Sequence, residues 1–283
     1  MTLTNGYHNE TSFIHMVNAT VSSIHRGHIR TDMNHIVEGY QLGSSTEPNP
    51  DAPMGEGIVY NLVIDHPEAT ILWDTGSHPD AGDGHWPAPL YAAFEHYDAD
   101  EHPLPDALND AGYALSDVDA VVASHLHLDH AGGLHHFDGT DVPVYVHEEE
   151  LKYAYYSAKT DEGSDAYVLN DFDHELDWRV VHRPVETHFE GVQFVHLPGH
   201  TPGLMGLQLD LDRGTVLVAG DEVYLRANYD EETPLGAGLL WSKRHWYESL
   251  RELKERERRH DATVLCGHDE GDLARLETTP SNG

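Results

Sequence analysis

The sequence predicts an α/β fold in which two β-sheets are wrapped by helices. Short apolar runs rich in β-branched residues recur along the chain, and several lead directly into a turn that contains glycine. Two other segments, 148–159 and the residues after Ser242, have helical patterns instead. With 283 residues the chain is long enough for one such domain with a large core. We therefore expect a single domain over 1–283.

The first elements are a polar extension and a hairpin. Residues 1–50 are polar and rich in histidine, and we expect them to precede the fold as an extension. A hairpin follows, with strands at 59–64 and 70–73. The segment 76–105 is too irregular for an assigned element, and three roles are open for its aromatic residues: lining an acyl pocket, covering the core or contacting a second copy. These aromatic residues are Trp86, Tyr91, Phe94 and Tyr97.

Helices and strands are then predicted in alternation. A short helix at 106–111 precedes an apolar strand that ends before His125, and a strand at 144–146 leads into a helix over 148–159. The last helix begins after Ser242, a residue type favoured at the N-cap. Its apolar face consists of Trp246, Leu250 and Leu253, so we expect it to lie on a sheet. The polar tail 276–283 is predicted to fray.

A dense set of metal-ligand side chains follows the apolar strand that ends at Ala123. Positions 124–133 read Ser-His-Leu-His-Leu-Asp-His-Ala-Gly-Gly. Zinc and similar cations favour imidazole nitrogen and carboxylate oxygen, and a short turn can aim several of them at one point. A single catalytic ion takes fewer ligands from one segment because it keeps a position open for water, so the motif indicates two ions. Its candidate ligands are His125, His127, Asp129 and His130.

Three later segments each place one more candidate ligand after an apolar strand. His200 lies in a turn stiffened by two prolines, Asp221 follows Gly220, and His268 follows Gly267. Taken alone, Asp221 is more typical of a turn and His268 of a surface, but together with the motif both are interpreted as ligands. Other histidines are expected to be structural or exposed. They are His8, His15, His25, His28, His35, His135 and His136.

The order of these ligands resembles that of the metallo-β-lactamase superfamily of dinuclear metallohydrolases. The motif at 125–130 is followed by His200, Asp221 and His268, and residues 74–76 are similar to the family's Asp-Thr-Gly turn. The resemblance implies the family's αβ/βα sandwich of two mixed β-sheets flanked by helices. It also implies one ion on His125, His127 and His200, a second on Asp129, His130 and His268, and Asp221 as a bridge between them.

Within the superfamily, the chain most resembles the N-acyl-homoserine lactonases that act in quorum quenching. Tyr224 lies three residues after Asp221, where that branch has a tyrosine, and the last candidate ligand lies in the segment Gly267-His268-Asp269. The resemblance implies that a hydroxide bridging two divalent ions opens the lactone ring. Tyr224 would donate a hydrogen bond to the substrate, and Asp129 would carry a proton to the leaving alkoxide. The ligand types favour zinc, although iron, manganese and cobalt also fit.

Alternative functions stay open. The same ligands serve thioester hydrolases of the glyoxalase II type and phosphodiesterases, and a non-catalytic metal-binding module is a further alternative. A sulfur dioxygenase with one iron is disfavoured because it would leave His130 and His268 unused as ligands. The preferred acyl-chain length cannot be read from the sequence. The resemblance allows a homodimer, which the sequence neither supports nor opposes.

The net charge excludes several classes of partner. Asp and Glu number 50 against 16 Lys and Arg, giving a formal charge of −34, and the carboxylates are spread along the chain. Nucleic acids and anionic membranes need basic patches, so neither is expected as a partner, and a small lactone or ester is. Dispersed carboxylates with only four lysines favour a halophilic source, since concentrated salt screens such charge.

The remaining features concern redox state and location. The single cysteine, Cys266, excludes an intramolecular disulfide and leaves histidine and aspartate as the ligands. The first forty residues lack the apolar core of a signal peptide and any segment long enough for a membrane helix. We therefore expect a cytoplasmic location.

Overall fold

Alternate side chains of the central strands pack into different hydrophobic cores, and this alternation divides the protein into layers. The structure is a computed structural model that describes residues 16–278. Leu62 and Ile64 lie in a core shared by two β-sheets, whereas Val63 packs under helices on the outer side of the first sheet. The predicted αβ/βα sandwich of two mixed sheets flanked by helices is therefore confirmed.

The first sheet contains seven strands of the described chain. They are β1 (Thr20–Asp32), β2 (Met54–His66), β3 (Ala69–Trp73), β4 (Phe94–His96), β5 (Ala120–Val122), β6 (Pro143–His147) and β7 (Asp177–Val181). Their order is β4-β1-β2-β3-β5-β6-β7. Pairing is antiparallel from β4 to β3 and parallel from β3 to β7. The carboxyl ends of β3, β5 and β6 therefore lie at one edge of this sheet.

The second sheet contains five strands of the described chain, and each pairs with the next one along the chain. They are β8 (Val185–Phe189), β9 (Val192–His196), β10 (Met205–Leu211), β11 (Gly214–Val218) and β12 (Thr263–Leu265). Neighbouring strands are antiparallel from β8 to β11, and β11 and β12 are parallel. The turns after β9, β11 and β12 each carry one predicted ligand, and they lie near the ligand-bearing edge of the first sheet.

Nine α-helices of the described chain flank the two sheets. They are α1 (Met33–Ile36), α2 (Ala88–Ala93), α3 (Leu104–Asp110), α4 (Leu128–Ala131), α5 (Glu148–Lys159), α6 (Leu169–Phe172), α7 (Arg226–Glu231), α8 (Lys243–His260) and α9 (Glu270–Thr278). The apolar face predicted for α8 is confirmed, because Trp246, Leu250 and Leu253 are buried against the second sheet. Within residues 16–278, no helix has the length and apolar composition needed to cross a bilayer.

Several local predictions are confirmed and one is refined. The hairpin of β2 and β3, the helix α3 and the bounds of α5 agree with the sequence patterns. Ser242 occupies the N-cap position of α8, but its hydroxyl pairs with His245 Nδ1 at 2.7 Å and not with a backbone N–H. The residue type therefore marked the helix start although its expected hydrogen bond is replaced.

The amino-terminal region differs from the predicted extension. Residues 20–32 form β1, which pairs along its length with β2 inside the first sheet. The strand is hidden in the sequence because its buried positions include Arg26 and Thr31, and because a bulge between His25 and His28 breaks the alternation. His8 and His15 lie outside the described residues.

Two other irregular segments also contain regular structure. The segment 76–105 holds a turn at Ala81–His85, the helix α2 and the edge strand β4, which pairs with β1. The tail predicted to fray at 276–283 begins inside α9, which continues to Thr278, and residues 279–283 lie outside the described part of the chain.

Candidate metal centre

The segment that carries the histidine motif is held by a sharp turn after β3. Asp74 has a left-handed φ of 56°, and its carboxylate accepts hydrogen bonds from the Ser124 backbone N–H at 2.6 Å and from the Ser124 hydroxyl at 2.7 Å. It also accepts one from His130 Nδ1 at 2.9 Å. The Thr75 hydroxyl donates to the His130 carbonyl at 2.8 Å. Both ends of the motif are therefore tied to one buried turn.

Three histidines form the first group of candidate ligands. His125 and His127 lie in the loop after β5, and His200 lies in the turn after β9; all three are buried. His200 Nε2 is 2.9 Å from His127 Nδ1 and 3.2 Å from His125 Nε2. Three ring nitrogens therefore converge on one point, as the ligands of a single cation do.

The second group consists of Asp129, His130, Asp221 and His268, with ligand atoms within 4.8 Å of one another. Asp221 Oδ1 lies 3.3 Å from His130 Nε2 and 3.1 Å from His268 Nε2. Asp129 Oδ2 lies 3.5 Å from His130 Nε2 and 3.6 Å from His268 Nε2. Asp221 Oδ2 is also 3.6 Å from His200 Nε2 of the first group. Asp221 therefore stands between the two groups.

All seven residues nominated as ligands by the sequence are thus brought together. His25, His28, His35, His135 and His136 lie outside both groups. The cluster forms because the loops after β5, β9, β11 and β12 meet at one edge of the sandwich.

Unpaired polar atoms show that these side chains fit metal ions. His130 Nε2 and Asp221 Oδ1 are fully buried, and neither makes a hydrogen bond within the described part of the chain although they lie 3.3 Å apart. Buried polar atoms are rarely left in this state, because the cost of removing them from water is then uncompensated. A cation between them would satisfy both atoms, and nitrogen and carboxylate oxygen suit zinc and related metals.

Backbone carbonyls orient two of the imidazoles. His200 Nδ1 donates to the Leu239 carbonyl at 2.6 Å, and His268 Nδ1 donates to the Ile58 carbonyl at 2.9 Å. Each bond places the proton on Nδ1 and leaves the Nε2 lone pair directed into the cluster.

Electrostatics differ between the two groups of candidate ligands, because the first contains only histidines and the second pairs histidines with carboxylates. Burial lowers the pKa of His125, His127 and His200, which keeps their lone pairs available. Burial raises the pKa of the Asp129 carboxyl, but the charges of His130 and His268 outweigh it and bring the value to about 2. Burial lowers the pKa of His130, but the charges of Asp221, Asp129 and Asp74 outweigh it and raise the value well above the ordinary one, so a cation bound there would displace the proton of His130.

A cavity of about 440 Å³ opens beside both groups. His127 and His200 of the first group and Asp129 and Asp221 of the second line its floor. Its apolar wall includes Ile29, Leu90, Phe94, Leu128, Leu239 and Trp241. A small molecule with a polar reacting end and an apolar tail matches this division.

The aromatic residues of 76–105 divide between the roles considered from the sequence. Phe94 lines the cavity. Trp86 is buried in the core, and Tyr91 packs against the same core. Tyr97 is 43% exposed and stacks on His28. Only part of this segment therefore faces the candidate site.

Tyr224 lies beside the second group and lines the cavity with Asp129. The side chain is buried, and its ring stacks on His268. Burial raises the pKa of the Tyr224 hydroxyl well above its ordinary value, so the group stays protonated and can donate. Both residues that the sequence nominated for catalysis therefore border the same space.

Two buried glutamates next to the cluster were missed by the sequence patterns. Glu222 Oε2 accepts a hydrogen bond from the His200 backbone N–H at 3.1 Å, and Glu150 contacts the loops of both His127 and His200. Glu222 follows a nominated ligand directly, which is the one sequence feature that could have marked it. Glu150 ends a run of three glutamates that looks like the solvated start of a helix.

Comparisons with known proteins identify one superfamily and several related lactonases. The metallo-beta-lactamase superfamily matches residues 54–268. N-acyl homoserine lactonase AiiB of Agrobacterium fabrum is 30% identical over 261 residues, covering 88% of this chain and 93% of the relative. An N-acyl homoserine lactonase of a Bacillus species is 30% identical over 171 residues, covering 60% and 63%.

Solved structures share the fold. An N-acyl homoserine lactone hydrolase with N-hexanoyl-L-homoserine at its catalytic metal centre superposes with a TM-score of 0.77 at 22% identity, covering 92% of this chain and 96% of that one. AidC, a dizinc quorum-quenching lactonase, superposes with a TM-score of 0.64 at 16% identity, covering 90% and 89%.

Proposed function

The chain belongs to the metallo-β-lactamase superfamily, and we propose that it is a metal-dependent hydrolase that opens the lactone ring of N-acyl homoserine lactones. One observation carries the proposal: two groups of buried ligands adjoin at Asp221, beside a cavity that Tyr224 also lines. Relatives with extensive coverage bear the name N-acyl homoserine lactonase, which supports the choice of substrate.

The ligand groups support a division between two ions. His125, His127 and His200 would hold one ion, and Asp129, His130 and His268 would hold the other. Asp221 would be shared by both ions, since its Oδ1 lies 3.3 Å from His130 Nε2 and its Oδ2 lies 3.2 Å from His268 Nε2 and 3.6 Å from His200 Nε2. Zinc is the metal that this set of nitrogen and oxygen ligands favours.

When bound, divalent ions would lower the pKa of water enough to supply a nucleophile at neutral pH and would polarise the ester carbonyl. The chain's own residues supply position and protons. The buried floor of the cavity excludes bulk water from the reacting end, and the apolar wall around Phe94 receives the acyl tail.

Tyr224 and Asp129 act on the substrate from the cavity floor. The Tyr224 hydroxyl donates a hydrogen bond to the lactone carbonyl or ring oxygen, which stabilises the negative charge that develops there. As the bond between the carbonyl carbon and the ring oxygen breaks, Asp129 passes a proton from the attacking water to the alkoxide. The single product carries both a hydroxyl group, formed from the ring oxygen, and a carboxylic acid.

The charge of the protein supports a halophilic enzyme. Each of the four lysines lies next to a carboxylate: Lys152 by Glu148, Lys159 by Asp173, Lys243 by Glu38 and Lys254 by Glu232. These pairs neutralise few of the 50 acidic residues. The remaining like charges repel one another in dilute buffer and are screened in concentrated salt.

Ring opening can be tested by proton release, because the carboxylic acid product ionises at neutral pH. The purified protein would be measured in molar KCl with lactones of short and long acyl chain, before and after metal stripping. Release that depends on restored metal is expected. No release from any lactone, with two ions still bound, would contradict the substrate and direct the search to thioesters and phosphodiesters.

A further inference from the structure

Glu150 is a buried carboxylate in the first turn of α5. Its side chain is 0% exposed, whereas those of Glu148 and Glu149 reach solvent at 40% and 50%. Acidic residues at helix starts interact favourably with the helix dipole, but that interaction does not require burial. A fully buried glutamate needs hydrogen bonds to offset the loss of water, so the groups that donate to it show which segments it fixes in place.

All four donors to Glu150 are neutral. Oε1 accepts from the Leu126 backbone N–H and from the Tyr167 hydroxyl, both at 2.9 Å. Oε2 accepts from the Thr201 hydroxyl at 2.6 Å, and the Gly203 backbone N–H also donates to this carboxylate. Burial raises the pKa of Glu150, and these four hydrogen bonds oppose that rise.

The donors adjoin every member of the first ligand group. Leu126 lies between His125 and His127 in the chain, and Thr201 directly follows His200. The Tyr167 ring packs on His127, with centroids 4.5 Å apart. One side chain therefore joins the loop after β5 to the turn after β9, which are 75 residues apart at the His125–His200 contact.

We propose that Glu150 is a positioning residue that holds His125, His127 and His200 in the geometry that binds the first metal ion. This inference rests on the proposed function, because it assumes that the group binds an ion. Asp74 holds the second group through His130 in a comparable way. The two buried carboxylates thus brace opposite sides of the motif, and outer-shell groups of this kind change metal affinity roughly 10- to 100-fold.

The decisive variant is Glu150→Gln, which keeps the shape of the side chain, removes its charge and replaces one accepting oxygen by an NH₂ group. The Zn²⁺-loaded wild type and variant would be dialysed against rising chelator concentrations, and the zinc retained per chain would be measured. We expect one of the two ions to leave the variant at a chelator concentration roughly 10- to 100-fold lower than the concentration that removes it from wild type. The other ion is expected to be retained as in wild type.

A matched control is Asp210→Asn. Asp210 is also a buried carboxylate with neutral donors, namely Gln208 and Thr215, but it lies on β10 away from the ligand loops. Both ions are expected to leave this variant as they leave wild type. If Glu150→Gln is folded by near-ultraviolet circular dichroism and keeps both ions with wild-type resistance, Glu150 only packs and the proposal is overturned.

Two milder variants keep the test decisive if Glu150→Gln does not fold. Tyr167→Phe keeps the ring on His127 and removes only the hydroxyl, and Thr201→Val removes the other hydroxyl donor at similar volume. Each is expected to weaken the same single ion severalfold. Wild-type retention of both ions in both variants would overturn the proposal.

The zinc measurements distinguish a failure of the proposed function from a failure of the role proposed for Glu150. A wild-type protein that binds no Zn²⁺ would remove the proposed function and the inference with it. If wild type binds two ions and the Glu150→Gln variant retains both as firmly, only the role proposed for Glu150 is contradicted.

Discussion

The ring of Tyr224 stacks on the ring of His268, with centroids 3.9 Å apart and planes inclined by 23°. His268 is fixed from its other edge by the Ile58 carbonyl, and the Gly267 and His268 backbone N–H groups donate to the Val223 and Tyr224 carbonyls. The tyrosine and the histidine are therefore held as one unit, so that the hydroxyl keeps a constant position relative to the second ligand group.

Tyr224→Phe should preserve this unit and remove only the hydroxyl. We expect two bound ions, an unchanged thermal midpoint and a fall in kcat of roughly 100- to 1,000-fold, the range for loss of one hydrogen-bond donor to a developing oxyanion. Metal content and lactone turnover measure both properties. Unchanged turnover would show that Tyr224 is only a packed tyrosine.

Asp74→Asn should act mainly on the second group, which Asp74 contacts directly through His130, and less on His125, which it reaches through the Ser124 hydroxyl. The amide cannot accept from His130 Nδ1 and from both Ser124 donors as the carboxylate does. We expect the ion of this group to be lost roughly 10- to 100-fold more readily to a chelator. Asp119→Asn is the matched control, because Asp119 accepts from the Thr70 N–H in an exposed position. Equal chelator resistance in the two variants would contradict the role of Asp74.

Phe94→Ala should alter the preference for acyl-chain length. Phe94 lines the apolar wall, so its loss removes contact area that only a longer tail would reach. We expect kcat/KM for a long-chain lactone to fall roughly tenfold, with little change for a short-chain one. The control is Tyr97→Ala, which removes an exposed ring that stacks on His28 outside the cavity. A parallel loss for both chain lengths would place the tail elsewhere.

Potassium chloride should stabilise the folded protein. With a formal charge of −34, the native state suffers repulsion that salt screens. The thermal midpoint is expected to rise steadily from dilute buffer to molar KCl, whereas sucrose at equal osmolality serves as the uncharged control. A midpoint that is highest in dilute buffer would contradict the halophilic proposal.

The candidate ligands could be nominated from the sequence because each follows a strand and lies near glycine. His125 to His130 are contiguous, and His200, Asp221 and His268 repeat the same local arrangement. Such short-range patterns can be recognised in the sequence without knowledge of the tertiary structure. The helix α5 and the apolar face of α8 were likewise local, since helical spacing is set by the backbone.

Strand β1 illustrates what local patterns conceal. Arg26 is buried and donates to Asn61 Oδ1 at 2.8 Å and to the Thr75 carbonyl, so a charged side chain occupies an interior position. Its acceptors come from β2 and from the turn after β3. No pattern within 20–32 could show that these partners exist, and the segment therefore read as a polar extension.

The sequence by itself determined the fold class, the family and the seven nominated ligands, because these depend on residue types at short spacing. The tertiary structure alone decided which side chains brace the ligands, as Asp74 and Glu150 do, and which aromatic residues face the cavity. Hydrogen bonds of buried groups join residues far apart in the chain, and whether a polar side chain is exposed or satisfied inside is settled only when those segments meet.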